Sequence, residues 1–236
     1  SQAAWEYYDK YLRDEFKDMW EHMATRTWDL PNVIGFEIIN EPGAGSADDT
    51  VWGPEVLTPF YTEMGAHIRS HATDALVFFD STGLDAVTQE TSVGLPGGDG
   101  WVFAPHFYDP TVFMGAAAGG DFNVLESLGR WAEKRDEWGI PLIVGEFGIE
   151  AVDPGAVAYI RDNFDAMDSY QLQGTVWEYS STVDDWNDEG MSIVAPDGSD
   201  TQVVDAVVRA YPAAVAGDLV SWTWDTGSLE GQLKFT

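Results

Sequence analysis

The sequence predicts an α/β fold in which helices cover a parallel β-sheet. Its strands read as continuous apolar runs, as in "DALVFFDST" and "IPLIVGEFG", and they lack the alternation of a sheet with one face in water. Amphipathic helical segments separate most of these runs, which is the order of repeated strand–helix units. An α/β barrel and a doubly wound sheet both have this order.

The first half of the chain alternates helices and strands. A helix is predicted over 3–24 because apolar residues recur at steps of three and four: Trp5, Tyr8, Leu12, Phe16, Met19 and Met23. A strand is predicted over 33–40. A second helix, over 54–71, has an apolar face made of Phe60, Met64 and Ile68. Two further buried strands are predicted in "DALVFFDST" and "GWVFAPHFYD".

The second half continues the pattern. "NVLESLGRWAEKRDEWG" is predicted to form a helix that ends at Gly139, and the strand "IPLIVGEFG" follows it. Asp153 and Pro154 are the predicted N-cap and first residue of a helix that runs to about Asp168. The strand "LQGTVWEYSS" comes next, and then a short helix over 201–211.

The last residues differ in character from the rest. "LVSWTWDTGSLEGQLKFT" alternates on both sides of a Thr-Gly-Ser turn, which predicts a β-hairpin. We therefore expect a partial barrel over 1–210, with a linker and the first hairpin of an all-β domain over 211–236. Five strand–helix units are predicted, whereas a closed barrel has eight. The chain is thus expected to be an internal piece of a longer protein.

Composition excludes several classes of partner. The formal net charge is −30, from 41 acidic residues against 11 Lys and Arg, so a nucleic acid partner is not expected. The apolar runs are all shorter than a membrane-spanning helix requires, so we expect no stable insertion into a bilayer. The chain has no cysteine, which excludes disulfides and thiol chemistry.

Polar residues stand at the carboxyl end of one predicted strand after another: Asn40-Glu41, Asp80, His106-Phe107-Tyr108, Glu146 and Trp177-Glu178. In a barrel, the chemistry takes place at this face. Glu41 and Glu146 stand out because a pair of carboxyl groups is what glycoside hydrolysis needs. Taken singly, each acid could equally serve as a helix cap or an ion-pair partner.

Four motifs carry a family resemblance. "IINEP" resembles the Asn-Glu-Pro signature of glycoside hydrolase family 5, whose members are retaining (β/α)8-barrel enzymes. "APHFYD", "IVGEFG" and "GTVWEYS" are similar to the motifs that end the sixth, seventh and eighth strands of that barrel, and they occur in the same order. The resemblance implies a TIM barrel of which this chain holds about the C-terminal five strand–helix units, followed by the start of a C-terminal β-sandwich.

The resemblance also implies a mechanism. Glu41 would be the general acid/base and Glu146 the nucleophile of a double displacement, with the two carboxyl groups about 5 Å apart. Such a reaction requires no cofactor and no metal.

Four further residues receive binding roles from the same resemblance. Asn40 would hydrogen-bond the 2-hydroxyl of the sugar, and Trp177 would stack on the sugar ring. Tyr108 would contact the nucleophile and help to hold it ionised. His106 would lie beside the acid/base.

Within this family, "PHFYDPTVF", "NDEGMSIVAPDG" and "VVRAYPAAVAGDLVSWTWD" resemble endoglycoceramidases, which cut the bond between an oligosaccharide and ceramide. The loop "DPTVFMGAAAGG" supports this interpretation, because the apolar residues Val112, Phe113 and Met114 are consecutive and small residues follow them. An apolar loop tip at the catalytic face could receive a lipid tail. These residues could equally pack under the loop.

Two patterns that suggest metal sites are weaker. His67 and His71 have the i, i+4 spacing of a helical metal pair, but no Glu follows His67 as it does in His-Glu-x-x-His, so a structural role is predicted. "DDWNDEG" is similar to a calcium loop, yet Pro196 stands at the twelfth position, where a bidentate Glu is required. An acidic loop that borders the sugar site is predicted instead.

The predicted function is therefore that of a retaining β-glycosidase acting on glycosphingolipids, and secretion is inferred from the substrate class. Two alternatives remain open. One is a β-glucanase or cellulase-type enzyme that acts on an oligosaccharide or polysaccharide. The other is an inactive carbohydrate-binding fragment, because half of the barrel is expected to be missing.

Overall fold

A computed structural model of the 236-residue chain describes residues 12–113, 123–182 and 188–236. The chain divides into two compact units. The first unit comprises Ser1–His106 and Arg135–Leu142, and the second comprises Phe107–Lys134 and Ile143–Thr236.

The first unit is built on a three-stranded parallel sheet. Its elements, in chain order, are α1 (Arg13–Thr27), β1 (Gly35–Glu37), α2 (Asp49–Trp52), α3 (Thr58–His71), β2 (Leu76–Phe79), α4 (Asp85–Thr88) and β3 (Trp101–Phe103). A π-helical turn, Gly53–Leu57, joins α2 to α3. The strand order is β1-β2-β3, with Phe36 opposite Val77 and Val77 opposite Trp101. β1 is shorter than the predicted strand over 33–40.

Helix α3 buries the predicted face of Phe60, Met64 and Ile68. The predicted apolar face of the first helix is wrong in part, because Leu12 is 45% and Met19 and Met23 are each 43% exposed, while Trp5 and Tyr8 lie outside the described residues. The buried stripe of α1 is instead Phe16, Trp20 and Ala24, which follow one another at steps of four. The Phe16 ring lies 5.7 Å from that of Phe60, so this stripe is the one that packs between the helices.

The second unit contains a parallel strand pair and an antiparallel hairpin. Its elements are α5 (Pro110–Phe113), α6 (Val124–Trp138, which continues into the first unit), β4 (Ile143–Phe147), α7 (Ala156–Tyr170), β5 (Gln173–Val176), α8 (Val204–Val207), β6 (Leu219–Asp225) and β7 (Glu230–Phe235). β4 pairs with β5 in parallel, and β6 pairs with β7 as the predicted hairpin. The predicted parallel strands separated by helices are thus found in both units.

Helix boundaries in this unit agree with the sequence only in part. α6 ends just before Gly139, which has a φ of +63° and donates its N–H to the Arg135 carbonyl, as predicted. α7 begins later than expected, because the Asp153 side chain accepts the N–H of Gly155 in a turn that precedes the helix. The short helix predicted over 201–211 is a single turn.

Helix α7 and its C-terminal end contact both the hairpin and the segment that precedes the hairpin. The Gln171 side chain, just after α7, donates to the Val220 carbonyl over 2.9 Å. Arg209 forms an ion pair with Asp168, with side-chain exposures of only 7% and 17%, and its guanidinium lies 5.1 Å from the centre of the Phe164 ring. Among the described residues, no helix is long and apolar enough to cross a membrane.

Candidate active site

Glu41 lies a few residues beyond β1 and has an unusual backbone conformation. Ile38 continues the strand pairing by donating its N–H to the Phe78 carbonyl. Glu41 then has a φ of +41°, in the left-handed region that non-glycine residues seldom occupy. Its backbone N–H donates to the Asp80 carboxyl group over 3.0 Å. This hydrogen bond holds the strained residue in place at the end of the strand.

His106 lies between the side chains of Glu41 and Asp80. Its Nδ1 is 2.9 Å from Glu41 Oε1, and its Nε2 is 3.4 Å from Asp80 Oδ2. An ionised carboxylate can only accept a hydrogen bond, so Nδ1 carries the proton whenever Glu41 is charged. The ring is 2% exposed, and the surrounding protein therefore fixes its orientation.

Asp80 is the most deeply buried acid of this group, with 1% of its surface exposed. Besides Glu41, the backbone N–H of Ser81 donates to its carboxyl group over 2.6 Å, and the Tyr61 hydroxyl donates to its backbone carbonyl. Burial raises the pKa of Asp80 to about 8, although His106 and the backbone donors oppose the shift. Asp80 is thus a neutral, well-anchored group at neutral pH.

The Glu41 carboxyl group lies close to Gly83, whereas the residue before Glu41 is exposed. A side chain at Gly83 would place its Cβ 3.0 Å from Glu41 Oε2, so glycine there gives the carboxyl group its space. The preceding residue, Asn40, is exposed. The end of the strand thus presents an amide to solvent next to a confined carboxyl group.

Glu146 lies on β4 in the second unit. Its backbone carbonyl accepts the N–H of Phe107 over 2.8 Å, which fixes the next residue, Tyr108, beside it. The Tyr108 hydroxyl donates to Glu146 Oε2 over 3.0 Å, and Tyr108 is itself buried. A hydrogen bond to the charged form of a carboxyl group favours that form.

Trp177 follows β5 and is half-buried. Its indole N–H donates to Glu189 Oε2 over 3.0 Å, which links the ring to the acidic loop predicted from the sequence. The next residue, Glu178, is buried and is joined to Trp177 by a cis peptide bond. Burial raises the pKa of Glu178, and the nearby charges of Glu189 and Glu146 raise it further.

The structure therefore brings Glu41 together with His106 in one unit and Glu146 together with Tyr108 in the other. The clusters belong to different compact units, so the separation of the two carboxyl groups stays a prediction. The sequence marks Asp80 only as a polar residue at the end of a strand. Its contact with His106 links residues distant in sequence, which no local pattern reveals.

One side-chain group at this site has the composition of a metal centre. Glu37, Asp80 and His106 place one ligand atom each within 4.8 Å of one another. Hydrogen bonds already engage this group, since Asp80 Oδ2 accepts the Glu41 N–H and His106 Nδ1 contacts Glu41 Oε1. The residues therefore fit a hydrogen-bonded network better than a metal centre.

The model for cellulases of glycosyl hydrolase family 5 matches residues 2–183. The chain belongs to glycosyl hydrolase family 5. The fold of this family is a TIM barrel, and the parallel strands and covering helices of both units agree with it.

Several known proteins are similar over nearly the whole chain. An endoglycoceramidase of Cyanea nozakii is 27% identical over 249 residues, which cover 95% of this chain and 46% of the relative. A solved structure of endo-glycoceramidase II from Rhodococcus sp. in complex with ganglioside GM3 is 22% identical, with a TM-score of 0.77, and the match covers 93% of this chain and 51% of that one.

A second Rhodococcus structure of the same protein, a lactosyl-enzyme intermediate, is 21% identical, with a TM-score of 0.72. The match covers 90% of this chain and 48% of that one. This family 5 chain thus spans about half the length of the relatives that it matches.

Proposed function

We propose that the chain carries the catalytic residues of a retaining β-glycosidase that releases the oligosaccharide of glycosphingolipids from ceramide. The observation that carries the proposal is the pairing of each candidate glutamate with its own ring side chain, Glu41 with His106 and Glu146 with Tyr108. The membership in family 5 and the similarity to endoglycoceramidases support it.

Glu146 acts as the nucleophile. The hydrogen bond from the Tyr108 hydroxyl stabilises the carboxylate, which is the form that attacks the anomeric carbon. The attack forms a glycosyl ester on Glu146 and breaks the bond to the leaving oxygen. A lactosyl-enzyme intermediate of the Rhodococcus relative supports this covalent step.

Glu41 acts as the general acid and then as the general base. It first protonates the leaving oxygen, and it later removes a proton from the water that hydrolyses the ester. The contact with His106 suits both states, because Nδ1 can donate to a carboxylate or, in the other tautomer, accept from a carboxylic acid. The imidazole therefore keeps Glu41 in position throughout the cycle.

Substrate binding involves two further residues that follow the predicted strands. Asn40, which is exposed beside Glu41, hydrogen-bonds the 2-hydroxyl of the sugar, and Trp177 stacks on the ring. The ceramide end is expected near Val112, Phe113 and Met114. Val112 is half-buried in α5, whereas Met114 lies outside the described residues.

The proposal extends to the rest of the protein. The five parallel strands correspond to the C-terminal part of an eight-stranded barrel, with the domain boundary between 210 and 211. The hairpin of β6 and β7 is the start of a β-sandwich. Secretion follows from the substrate class.

A second candidate function is hydrolysis of a polysaccharide, because the matching family model is described as a cellulase. The catalytic chemistry would be the same, and only the leaving group would differ. An inactive carbohydrate-binding fragment is the third alternative.

The experiment uses the complete natural protein that contains these 236 residues. It is incubated with a fluorescent glycosphingolipid and, separately, with a cello-oligosaccharide. Release of intact glycan and free ceramide is the expected result. Cleavage of the cello-oligosaccharide alone would support the second candidate and remove the lipid substrate, and no cleavage of either would overturn the catalytic proposal.

Two variants serve as controls. Glu146→Gln replaces the nucleophile by a group of the same size, so turnover should be abolished. Glu150→Gln makes the same change at an exposed acid four residues away, and full activity is expected. Near-normal rates in Glu146→Gln would exclude Glu146 as the nucleophile.

A further inference from the structure

Helices α1 and α3 carry a cluster of metal-ligating side chains apart from the candidate active site. Glu21 of α1 and His67 and His71 of α3 place one ligand atom each within 4.8 Å of one another. The sequence shows only the two histidines at i, i+4. The third member comes from another helix, about fifty positions earlier in the chain.

The packing of the helices produces this arrangement. Arg13 and Lys17 of α1 form ion pairs with Glu63, and Glu21 lies 3.7 Å from His71. Later residues of α1 contact later residues of α3, so the two helices run in the same direction. Successive contacts are about one helical turn apart. Glu21 is therefore held opposite the last turn of α3, where the carbonyl ends of the helix also favour a cation.

The hydrogen bonding of His67 prepares it to bind a metal. Its Nε2 lies 2.9 Å from the Lys17 carbonyl oxygen, which can only accept a hydrogen bond, so Nε2 carries the proton. The neutral ring then has its lone pair on Nδ1. Histidines that bind metals usually donate their other ring N–H to a backbone carbonyl or carboxylate in this way.

We propose that Glu21, His67 and His71 bind a divalent cation of the zinc class. Two imidazoles and one carboxylate are a ligand set that zinc accepts, with water in the fourth position. The cluster reaches solvent, since the Glu21 side chain is 52% and that of His71 25% exposed. The net charge of −30 raises the local concentration of cations.

Bound metal would clamp α1 to α3. The ligand atoms lie farther apart than in a formed site, where oxygen and nitrogen ligands about 2.0–2.1 Å from zinc are roughly 3.4 Å from one another. Small rotations of the Glu21 and His71 side chains, both of which reach solvent, would close this gap. Metal binding should then stabilise the folded chain by an amount that grows with the logarithm of the free metal concentration above the dissociation constant.

The test is a Zn²⁺ titration of the 236-residue chain in competition with a chromophoric chelator, with thermal unfolding recorded in parallel. Removal of one ligand, in His71→Ala, should weaken binding at this site by at least about tenfold. His22→Ala, which removes an exposed histidine beside Glu21, should bind like the unmodified chain. Zn²⁺ should raise the unfolding temperature of the unmodified chain and of His22→Ala, but not of His71→Ala.

A second variant keeps the test decisive if His71→Ala does not fold, which circular dichroism would show. Glu21→Ala changes a largely exposed side chain and should weaken binding to a similar degree. Absence of saturable Zn²⁺ binding in the unmodified chain would overturn the proposal. Unchanged affinity in either ligand variant would do the same, since the metal would then bind elsewhere, as at Glu37, Asp80 and His106.

Discussion

The side chain of Asp80 accepts the backbone N–H of Glu41 over 3.0 Å, and the same carboxyl group faces His106. One buried acid thus positions both the backbone and the ring partner of the candidate acid/base. It was visible in the sequence only as a polar residue at the end of a strand.

Replacement of Asp80 by Asn should change how stability depends on pH. Burial raises the pKa of Asp80 from 3.8 to about 8, so the folded chain keeps a proton that the unfolded chain loses. Stability from this group is full below about pH 4 and is lost as pH rises towards 8, at up to about 1.4 kcal/mol per pH unit. Asn does not titrate, so the free energy of unfolding of Asp80→Asn lacks this pH-dependent contribution.

The measurement is urea unfolding of the unmodified chain and of Asp80→Asn between pH 4 and pH 9. The stability of the unmodified chain relative to the variant should fall between pH 4 and about pH 8 and level off above it. Asp74→Asn, a change at an exposed acid of the same unit, should leave the pH dependence as it is. A constant difference between Asp80→Asn and the unmodified chain would show that Asp80 is ionised throughout.

Loss of the Tyr108 hydroxyl should slow catalysis without abolishing substrate binding. Tyr108→Phe removes the hydrogen bond to Glu146 Oε2, and a hydrogen bond to a charged group contributes about 1.5–3 kcal/mol. We expect kcat to fall about ten- to a hundredfold, with KM little changed, in steady-state kinetics of the complete protein. Tyr211→Phe, at an exposed tyrosine, is the matched control. An unaltered kcat in Tyr108→Phe would mean that this contact does not assist Glu146.

The orientation of Trp177 should affect mainly KM. Glu189→Ala removes the acceptor of the indole N–H, and the ring then loses one of the contacts that orient it. Because Trp177 is half-buried and water can replace the carboxylate, we expect a rise in KM of about two- to tenfold. Glu230→Ala, on the exposed strand β7, should leave KM unchanged. A fall in kcat alone would place Glu189 in the chemical step instead.

The ion pair between Arg209 and Asp168 should hold the segment that precedes the hairpin against α7. Asp168→Asn removes the carboxylate that pairs with a nearly buried guanidinium, and only the nearby charge of Asp165 then offsets that of Arg209. We expect a loss of up to about 3 kcal/mol of unfolding free energy. Urea unfolding followed by tryptophan fluorescence would measure the loss. The exposed pair Arg135–Asp136 offers a control, since Asp136→Asn should change stability far less. Equal losses in the two variants would contradict a special role for the buried pair.

The positions of the strands along the chain, though not the bounds of β1, were predictable because they depend on local pattern. Continuous apolar runs followed by polar residues marked β1, β2 and β4, and family motifs marked Glu41 and Glu146. Helix α6 was predictable to its last residue because Gly139 allows the left-handed turn that ends it.

The contacts between elements were not predictable in the same way. The exposed side of α1 contains Met19 and Met23, which an apolar periodicity cannot distinguish from the buried stripe at Phe16 and Trp20. The positions of Asp80 beside His106 and of Glu21 beside His71 depend on packing between segments that are distant in sequence.

The left-handed backbone of Glu41 has a consequence for protein engineering. Alanine normally stabilises a folded chain more than glycine does, but at a positive φ the order reverses. We expect Glu41→Gly to unfold at a higher urea concentration than Glu41→Ala. The free energy of unfolding should differ by about 1 kcal/mol. Both variants lack the carboxyl group, so the comparison isolates the backbone, and equal midpoints would show that the residue is relaxed.

If the order does reverse, position 41 is one where a search for thermostable variants would favour glycine and remove the acid. Screens for heat resistance should then select glycine at position 41, whereas screens for turnover should select glutamate.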